Sequence, residues 1–381
     1  SMEANRAARA SLTSRAREFP MVDFVVRGEG EEAVVQLIER LRAVKLDKAR
    51  AAEVSRLGSL PGVAMRREDG SIDESTAVTV ADFSQVPFAY REAEMEPIKE
   101  RILYYETSRG CPFSCAYCLS CATAGVRFLP LARVFGELDF FVRHDVRRVK
   151  FVDRTFNAKK SHFLPILQYI LALPQTVRTN FHFEVAIDYL DEDVLETLAQ
   201  MPRGRVQLEI GIQSTNEKTL QAVSRCNHWE QIAAHIRRIL SFHNMHLHVD
   251  LIIGLPGEGM DSFARSFNDV YELHADMLQL GFLKFLKGAS MMQLVEPYRY
   301  AYMAMAPYEV LRSDALSYGE IRWFHSFEDV FETYYNAGRC RHTADFLIKS
   351  QEHGDAFAFW KRFTDWWENH GYHKVGHATK D

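Results

Sequence analysis

The sequence lacks the features that mark several large classes of protein. No uninterrupted apolar run reaches the roughly 18 residues of a membrane-spanning helix. The formal net charge is −5, so no broad basic field of the kind that binds nucleic acid is present. With 47% hydrophobic and 25% charged residues among 381, the composition is that of a folded globular protein of two or three domains.

Cysteine is also scarce, and its distribution along the chain is uneven. Of the six cysteines, four lie close together, at positions 111, 115, 118 and 121. A disulfide framework would spread its cysteines to close long loops, whereas a cluster indicates a metal or iron–sulfur site in a reducing compartment. On that ground we expect a cytoplasmic protein. Cys226 and Cys340 stand alone and are expected to be ordinary residues.

From about residue 102 onward, extended and helical segments alternate. The predicted strands are residues 102–107, 148–153, 181–187, 205–213, 246–253 and 277–286. The predicted helices between them are residues 130–144, 160–173, 191–200, 216–240 and 261–274. This alternation favours an α/β protein built on a parallel barrel or partial barrel, in which the chemistry gathers at the C-terminal ends of the strands.

The two flanks of this repeat follow other patterns. Ahead of it, residues 22–41 predict one strand–turn–helix unit, and Asp69-Gly70 predicts a hairpin within residues 63–75. Behind it, residues 308–316 are expected to be helical, and aromatic residues at spacings of three and four predict a small helical cap. We therefore divide the chain into an N-terminal α/β remnant with linker (1–95), the partial barrel (96–286) and a C-terminal helical module (287–381).

Cys111, Cys115 and Cys118 form a C-x3-C-x2-C loop directly after the first predicted strand of the repeat. Three thiolates on a short loop can hold three irons of a [4Fe–4S] cube and leave the fourth iron open to a ligand. The alternative is a structural zinc site with Cys121 as the fourth ligand. Zinc sites usually pair two distant cysteine knuckles or add histidines, and neither pattern is present here.

With Ser108-Arg109-Gly110 before it and Tyr117 directly before its last cysteine, this loop resembles the radical S-adenosylmethionine (SAM) superfamily over roughly residues 100–285. The resemblance implies a partial (β/α)6 TIM-like barrel and a [4Fe–4S] cluster whose open iron is chelated by SAM. An electron from the cluster then cleaves SAM to a 5′-deoxyadenosyl radical, which abstracts hydrogen from a substrate. Tyr117 would lie beside the adenine, or else be a packing aromatic.

Polar residues at later strands extend the resemblance. Glu184, Gln213 and Asp250 each interrupt or close an apolar strand, and Arg225 follows within the predicted helix. The set resembles the SAM contacts of the coproporphyrinogen-oxidase-like branch of the superfamily. This implies that Arg225 pairs with the SAM carboxylate and Glu184 with the amino group. Gln213 and Asp250 would contact the ribose or methionine moiety, although each polar residue alone is also compatible with the core.

One stretch departs from the family pattern. Many members carry Gly-Gly-Glu at the end of the second strand, where it holds the SAM amino group. This sequence has Phe151-Val-Asp-Arg-Thr-Phe-Asn157 instead. We expect Asp153 or Thr155 to take that place. His246 and His248 alternate along a strand and are expected to be structural.

The flanks resemble those of B12-binding-domain-containing radical SAM proteins with an uncharacterised C-terminal module. Residues 22–41, which include Arg27-Gly-Glu-Gly-Glu31, look like the last strand–helix unit of a cobalamin-binding domain. A whole domain of that kind needs about five such units, and the opening Ser1-Met2 looks like an added scar. We therefore expect the cobalamin domain to be truncated here; the alternative is an N-terminal cap with no cofactor role.

The resemblance favours an enzyme that uses its radical for cobalamin-dependent methyl transfer or skeleton rearrangement of a small-molecule substrate. An external electron donor of the flavodoxin or ferredoxin type would then be needed. Aminocarboxypropyl transfer by cleavage of another SAM bond is a second reading, and a non-catalytic cysteine–metal scaffold or redox sensor is a third. Neither a membrane nor nucleic acid is expected as a partner.

Overall fold

The computed structural model describes residues 19–43, 59–67, 69–120 and 125–374. Its N-terminal part contains a small sheet and one helix: β1 (Phe24–Val26), α1 (Gly30–Ala43), β2 (Val63–Arg66) and β3 (Ile72–Asp73). The predicted strand–turn–helix unit and hairpin are both present. The three strands form one antiparallel sheet, in which β1 and β3 both pair with β2.

A parallel sheet of six strands forms the centre of the molecule. A short antiparallel ladder of β5 (Ser108–Arg109) with β6 (Arg127–Phe128) follows β4 (Ile102–Tyr105). The other strands of the central sheet are β7 (Arg148–Phe151), β8 (Asn180–Glu184), β9 (Val206–Gln213), β10 (His246–Ile253) and β11 (Met277–Phe282). Neighbouring strands pair in the order β4-β7-β8-β9-β10-β11, so the barrel is open between β4 and β11. The predicted partial barrel is confirmed.

Helices connect successive strands of the sheet, as parallel pairing requires. They are α2 (Leu131–Arg143), α3 (Lys160–Ala172), α4 (Glu192–Ala199), α5 (Glu217–Ala222), α6 (Trp229–Ser241) and α7 (Met260–Tyr271). Each turns an apolar stripe toward the strands: in α2, for example, Val134, Leu138 and Phe141 are fully buried. On the sheet side, Phe151 and Phe183 pack with ring centroids 4.5 Å apart.

The single helix predicted over residues 216–240 is wrong, because the chain forms two helices, α5 and α6. Between them Ser224 adopts a left-handed backbone conformation with φ of +56°. An α-helix cannot continue through such a residue. Arg225 therefore lies in the break between the helices rather than on a helix, and this break points its side chain toward the C-terminal ends of the strands.

The C-terminal part holds a hairpin of β12 (Ala301–Tyr302) with β13 (Val310–Arg312), followed by α8 (Tyr318–Phe331), α9 (Arg341–Gln351) and α10 (Ala356–Asn369). The helix expected over residues 308–316 is wrong. Val310 is fully buried and bonds to the backbone carbonyl of Leu283, which holds this segment extended. The helix begins only at Tyr318, where Ser317 and Glu320 form a capping box.

Aromatic side chains join this C-terminal part to the barrel, and its helices confirm the small helical cap that the aromatic spacing predicted. Phe263 of α7 packs edge-to-face on Phe324 of α8, with ring centroids 4.9 Å apart. Phe267 of α7 contacts Phe357 of α10 in the same way at 5.8 Å. The helical cap is thus continuous with the hydrophobic core of the barrel.

Candidate functional site

A cavity of about 190 Å³ opens at the C-terminal ends of the central strands. Segments that are far apart in sequence contribute to its wall. The lining residues are Cys111, Phe113, Cys115, Tyr117, Cys118, Arg154, Thr155, Glu184, Val185, Ala186, Glu209, Gly211, Gln213, Arg225 and Asp250. Nine of the ten residues that the sequence suggested for the site are among them, and Asp153 is the exception. The structure therefore brings the predicted residues together at one place.

The cysteine loop, residues 110–126 between β5 and β6, is held at both ends and in its middle. Gly110 has φ of +109°, and a Cβ there would lie 2.2 Å from the carbonyl oxygen of Gly125, so only glycine fits. In the middle, the Ala116 N–H donates to the Val223 carbonyl at 2.9 Å. The Ala116 carbonyl accepts from the Met291 N–H at 2.8 Å. Cys121 lies outside the described residues.

The three cysteines of the motif line the cavity. Cys111 Sγ lies 3.5 Å from the Thr155 hydroxyl, and Cys118 Sγ accepts from the Ser120 N–H at 3.3 Å. Among the residues that the structure describes, the three thiols do not form a group whose ligand atoms all lie within 4.8 Å of one another. A single ion needs such a group, whereas a cube binds each thiolate through a different iron. The arrangement fits a cluster.

Arg225 and Tyr117 lie directly beside the cysteines. The Arg225 Nη1 atom donates to the Tyr117 hydroxyl at 3.3 Å, and its Nη2 atom donates to the Gly211 carbonyl. The Asn227 side chain accepts from Arg225 Nε at 3.1 Å and fixes the plane of the guanidinium. Burial raises the pKa of Tyr117 well above its usual value, so the hydroxyl is protonated. A positive group is thereby fixed at the wall of the cavity.

Three acidic side chains project from β8, β9 and β10 into the same region: Glu184, Glu209 and Asp250. The ammonium of Lys150 lies 2.8 Å from Glu209 and 3.8 Å from Glu184, so a cation already compensates this group. Contact with His182 at 2.9 Å, together with Lys150, lowers the pKa of Glu209 to about 2. Burial raises the pKa of Glu184, with Glu209 adding to the effect.

Gln213 reaches the cavity through an irregularity in its strand. The pairing of β9 with β10 shifts between Asp250 and Leu251, and Gln213 itself has φ of +72°. Its amide nitrogen lies 2.1 Å from the position that a Cβ of Gly211 would occupy. The absence of a side chain at Gly211 therefore lets Gln213 fold back over the strand end.

Asp153 is a correction to the expected site. It is fully buried and does not line the cavity. Its Oδ1 atom accepts from the hydroxyls of Thr107 and Ser108 at 2.7 and 2.6 Å, and its Oδ2 atom accepts from the Thr107 N–H. These bonds tie the side chain to the segment between β4 and the cysteine loop rather than to the cavity. Thr155, two residues later, is the one that reaches the cavity.

Sequence reasoning missed Glu209 and Arg154, which also line the cavity. Glu209 interrupts the apolar strand β9 in the same way that Asp250 interrupts β10, so the same criterion would have found it. His248, expected to be structural, lies 2.9 Å from Asp250. Arg154 carries no comparable signal, because an arginine after a strand is ordinary in sequence.

Comparisons with known sequences decide the family of the central part. Residues 105–270 match the sequence model of the radical SAM superfamily, and residues 296–381 match one described as a protein of unknown function (DUF4080). The chain contains a radical SAM domain. Its C-terminal part is thus the module that the sequence resemblance anticipated.

Several characterised relatives are similar to this chain. The cobalamin-dependent radical SAM methyltransferase TokK of Streptomyces tokunonensis is 27% identical over 290 residues, which are 69% of this chain and 40% of TokK. The 2-(S-pantetheinyl)-carbapenam-3-carboxylate methyltransferase of Streptantibioticus cattleyicolor is 26% identical over 275 residues, which are 66% of this chain and 38% of that enzyme. The chain therefore spans about 40% of the length of these relatives.

The fold is also that of a solved radical SAM methyltransferase. TsrM from Kitasatospora setae, determined with cobalamin and a [4Fe–4S] cluster bound, superimposes with a TM-score of 0.60 at 15% identity. The match covers 82% of this chain and 62% of TsrM. At this identity the likeness concerns the fold alone. Within the described part of the chain, no helix has the length and apolar character needed to span a bilayer.

Proposed function

We propose that this chain is the core of a radical SAM enzyme, which binds a [4Fe–4S] cluster at Cys111, Cys115 and Cys118. The observation that carries the proposal is the meeting of these three thiols with Arg225 and the polar strand ends in one cavity. When bound, the cluster supplies one electron that breaks a carbon–sulfur bond of SAM and leaves methionine and a 5′-deoxyadenosyl radical.

The charges around the cavity match those of SAM, which carries a sulfonium, an ammonium and a carboxylate. Arg225 pairs with the carboxylate, because its guanidinium is fixed beside Cys115 by Gly211 and Asn227. Glu184 accepts from the ammonium group. Two further acids, Glu209 and Asp250, line the same cavity.

The remaining contacts in our proposal orient the ligand. Gln213, folded back over Gly211, and Asp250 reach the ribose or methionine moiety, and Tyr117 lies beside the adenine. Thr155 takes the place of the Gly-Gly-Glu stretch that many family members carry at the end of the second strand. Its hydroxyl, 3.5 Å from Cys111 Sγ, links the amino-group side of the ligand to the cluster loop.

We propose methyl transfer to a small molecule as the reaction class, with cobalamin as the methyl carrier. Support comes from the relatives TokK and the carbapenam methyltransferase, both of which are named as methyltransferases. The structural neighbour TsrM is a methyltransferase with cobalamin bound. An electron donor of the flavodoxin or ferredoxin type and a reducing, cytoplasmic location complete the proposal, because thiolate ligands must stay reduced.

The test is anaerobic reconstitution of the full chain. The release of 5′-deoxyadenosine from SAM is then assayed with dithionite as the reductant. We expect about four irons per chain and steady release of deoxyadenosine. Cys115→Ala should abolish release, whereas the matched variant Cys340→Ala, in the C-terminal part, should leave it unchanged. One zinc per chain and no deoxyadenosine would instead support the metal-scaffold reading.

A further inference from the structure

Two acidic residues of the N-terminal part contact the base of the cysteine loop. Glu29 and Glu31 lie in the turn that begins α1. The Arg109 Nη1 atom is 2.6 Å from Glu31 and 3.6 Å from Glu29. The Arg127 Nη1 atom donates to Glu29 at 3.0 Å, and its Nη2 atom contacts the other carboxylate oxygen. A turn about 80 residues before the loop in sequence is therefore ion-paired to it.

The two arginines are the residues that close the cysteine loop. In the ladder of β5 with β6, Arg109 lies directly opposite Arg127. Like charges opposite each other on an antiparallel pair destabilise it. The loop that carries Cys111, Cys115 and Cys118 thus begins and ends at a pair of groups that repel each other unless a carboxylate lies between them.

Glu29 supplies that carboxylate in a position that the fold fixes. Its side chain is 10% exposed and also accepts from the Val80 N–H at 2.6 Å. Gly28 before it has φ of +85°, and a Cβ there would lie 2.1 Å from the Val78 carbonyl oxygen. Burial raises the pKa of Glu29, but contact with Arg127 and Val80 outweighs this and lowers it overall, so Glu29 is anionic.

Several groups contact Arg109. Among them, Glu31 lies on α1 and is within hydrogen-bond distance. Glu106 accepts from Arg109 Nη2 at 2.7 Å, and the guanidinium lies 4.7 Å from the ring centre of Phe83. The Arg109 side chain is 19% exposed, so solvent screens these contacts only in part. Removal of Glu31 would leave the guanidinium near Glu106 but free to turn away from α1.

We propose that Glu29 and Glu31 are positioning residues for the cysteine loop, which act through Arg109 and Arg127. Through them the segment that precedes the radical SAM domain sets the closure of the loop and thereby the environment of the cluster. Only this last consequence rests on the proposed function. The effect on loop closure belongs to the protein without any cluster.

The test measures the loop and the cluster separately in the full chain. Glu29→Gln and Glu31→Gln are compared with the wild type and with Glu32→Gln, an exposed neighbour on α1. In cluster-free protein, we expect amide hydrogen exchange of residues 108–120 to rise about fivefold in the first two variants, the effect of weakening one partly buried charge pair. Thermal unfolding identifies any variant with a general folding defect, and Glu31→Gln then carries the test.

After reconstitution, Glu29→Gln and Glu31→Gln should release iron to a chelator faster and show an altered electron paramagnetic resonance signal of the reduced cluster. The proposal would be overturned if Glu29→Gln and Glu31→Gln matched Glu32→Gln in amide exchange, in iron release and in the paramagnetic resonance signal. Should the wild type bind no iron while the loop still exchanges faster in both variants, the cluster assignment fails and the role of the two acids in loop closure stands.

Discussion

The Nη1 atom of Arg225 lies 3.9 Å from the sulfur of Cys115. The two residues are 110 positions apart in sequence, and the left-handed Ser224 brings them together by ending α5 before the arginine. The hydrogen bond from Ala116 to Val223 ties the same two segments by their backbones. A positive group therefore lies beside one of the three thiols of the cysteine loop.

Replacement of Arg225 by lysine is expected to weaken SAM binding while the cluster remains bound. Lysine keeps the charge but loses the planar fork that contacts Gly211, Asn227 and the SAM carboxylate. A charge-assisted hydrogen bond is worth about 1.5–3 kcal/mol, so we expect roughly tenfold or more weaker binding. Equilibrium dialysis with labelled SAM measures this, and the exposed Arg237→Lys is the control. Equal affinities for both variants would remove Arg225 from the SAM site.

Gly110→Ala is expected to abolish stable iron binding. The new Cβ would lie 2.2 Å from the Gly125 carbonyl oxygen, so the loop cannot close as it does now. Gly204→Ala is the matched control, because Gly204 also has a positive φ but nothing within 4 Å of its Cβ position. It should cost about 1 kcal/mol of stability and retain iron. Iron analysis after anaerobic reconstitution compares the two variants. A Gly110→Ala variant that binds as much iron as the wild type would contradict the described loop.

The order of the barrel could be predicted from sequence because its strands are apolar and its helices amphipathic. For β10 the predicted and observed bounds coincide. The break at Ser224 could not be predicted, since serine seldom adopts a left-handed conformation and the contact that follows it, from Arg225 to the Gly211 carbonyl, exists only in the folded chain. Residues 308–316 have a spacing that suits either a helix or a strand, and contact with Leu283 decides for the strand.

The candidate site was predicted to a similar extent. The cysteines were found from their spacing, and the polar strand ends because a polar group in an apolar strand requires a partner. Asp153 satisfies the same rule but finds its partners, Thr107 and Ser108, inside the protein. Which way a polar side chain at a strand end points depends on its neighbours in three dimensions. Sequence spacing alone does not contain that information.

Asp153→Asn is expected to destabilise the fold by about 1–3 kcal/mol, because an amide offers one acceptor oxygen where the carboxylate offers two. Burial raises the pKa of Asp153 to about 6 from 3.8. Its contribution to stability is thus fully present below the lower value and is lost as the pH rises through about 6. The difference in the free energy of unfolding between wild type and variant should be about 1 kcal/mol larger at pH 5 than at pH 7. Urea unfolding at both pH values measures this difference. A smaller difference at pH 5 than at pH 7 would contradict the raised pKa of Asp153.

Lys150→Met is expected to lower the free energy of unfolding at pH 7 by about 1–3 kcal/mol, because Glu209 loses the charge that lies 2.8 Å from it. The control is Lys160→Met, a lysine about half exposed that contacts two aspartates and should change stability by at most about 1 kcal/mol. Urea unfolding compares them. A Lys150 variant no less stable than the Lys160 variant would mean that His182 alone compensates Glu209.

The most direct test of the central proposal is electron paramagnetic resonance of the reduced, reconstituted protein with and without SAM. If three thiols hold a cube whose fourth iron is open to SAM, the signal of a [4Fe–4S]⁺ cluster will be present and will change when SAM is added, and Arg225→Lys will need more SAM for the same change. A signal that SAM leaves unaltered, or a protein that carries no cluster signal after reconstitution, would contradict it.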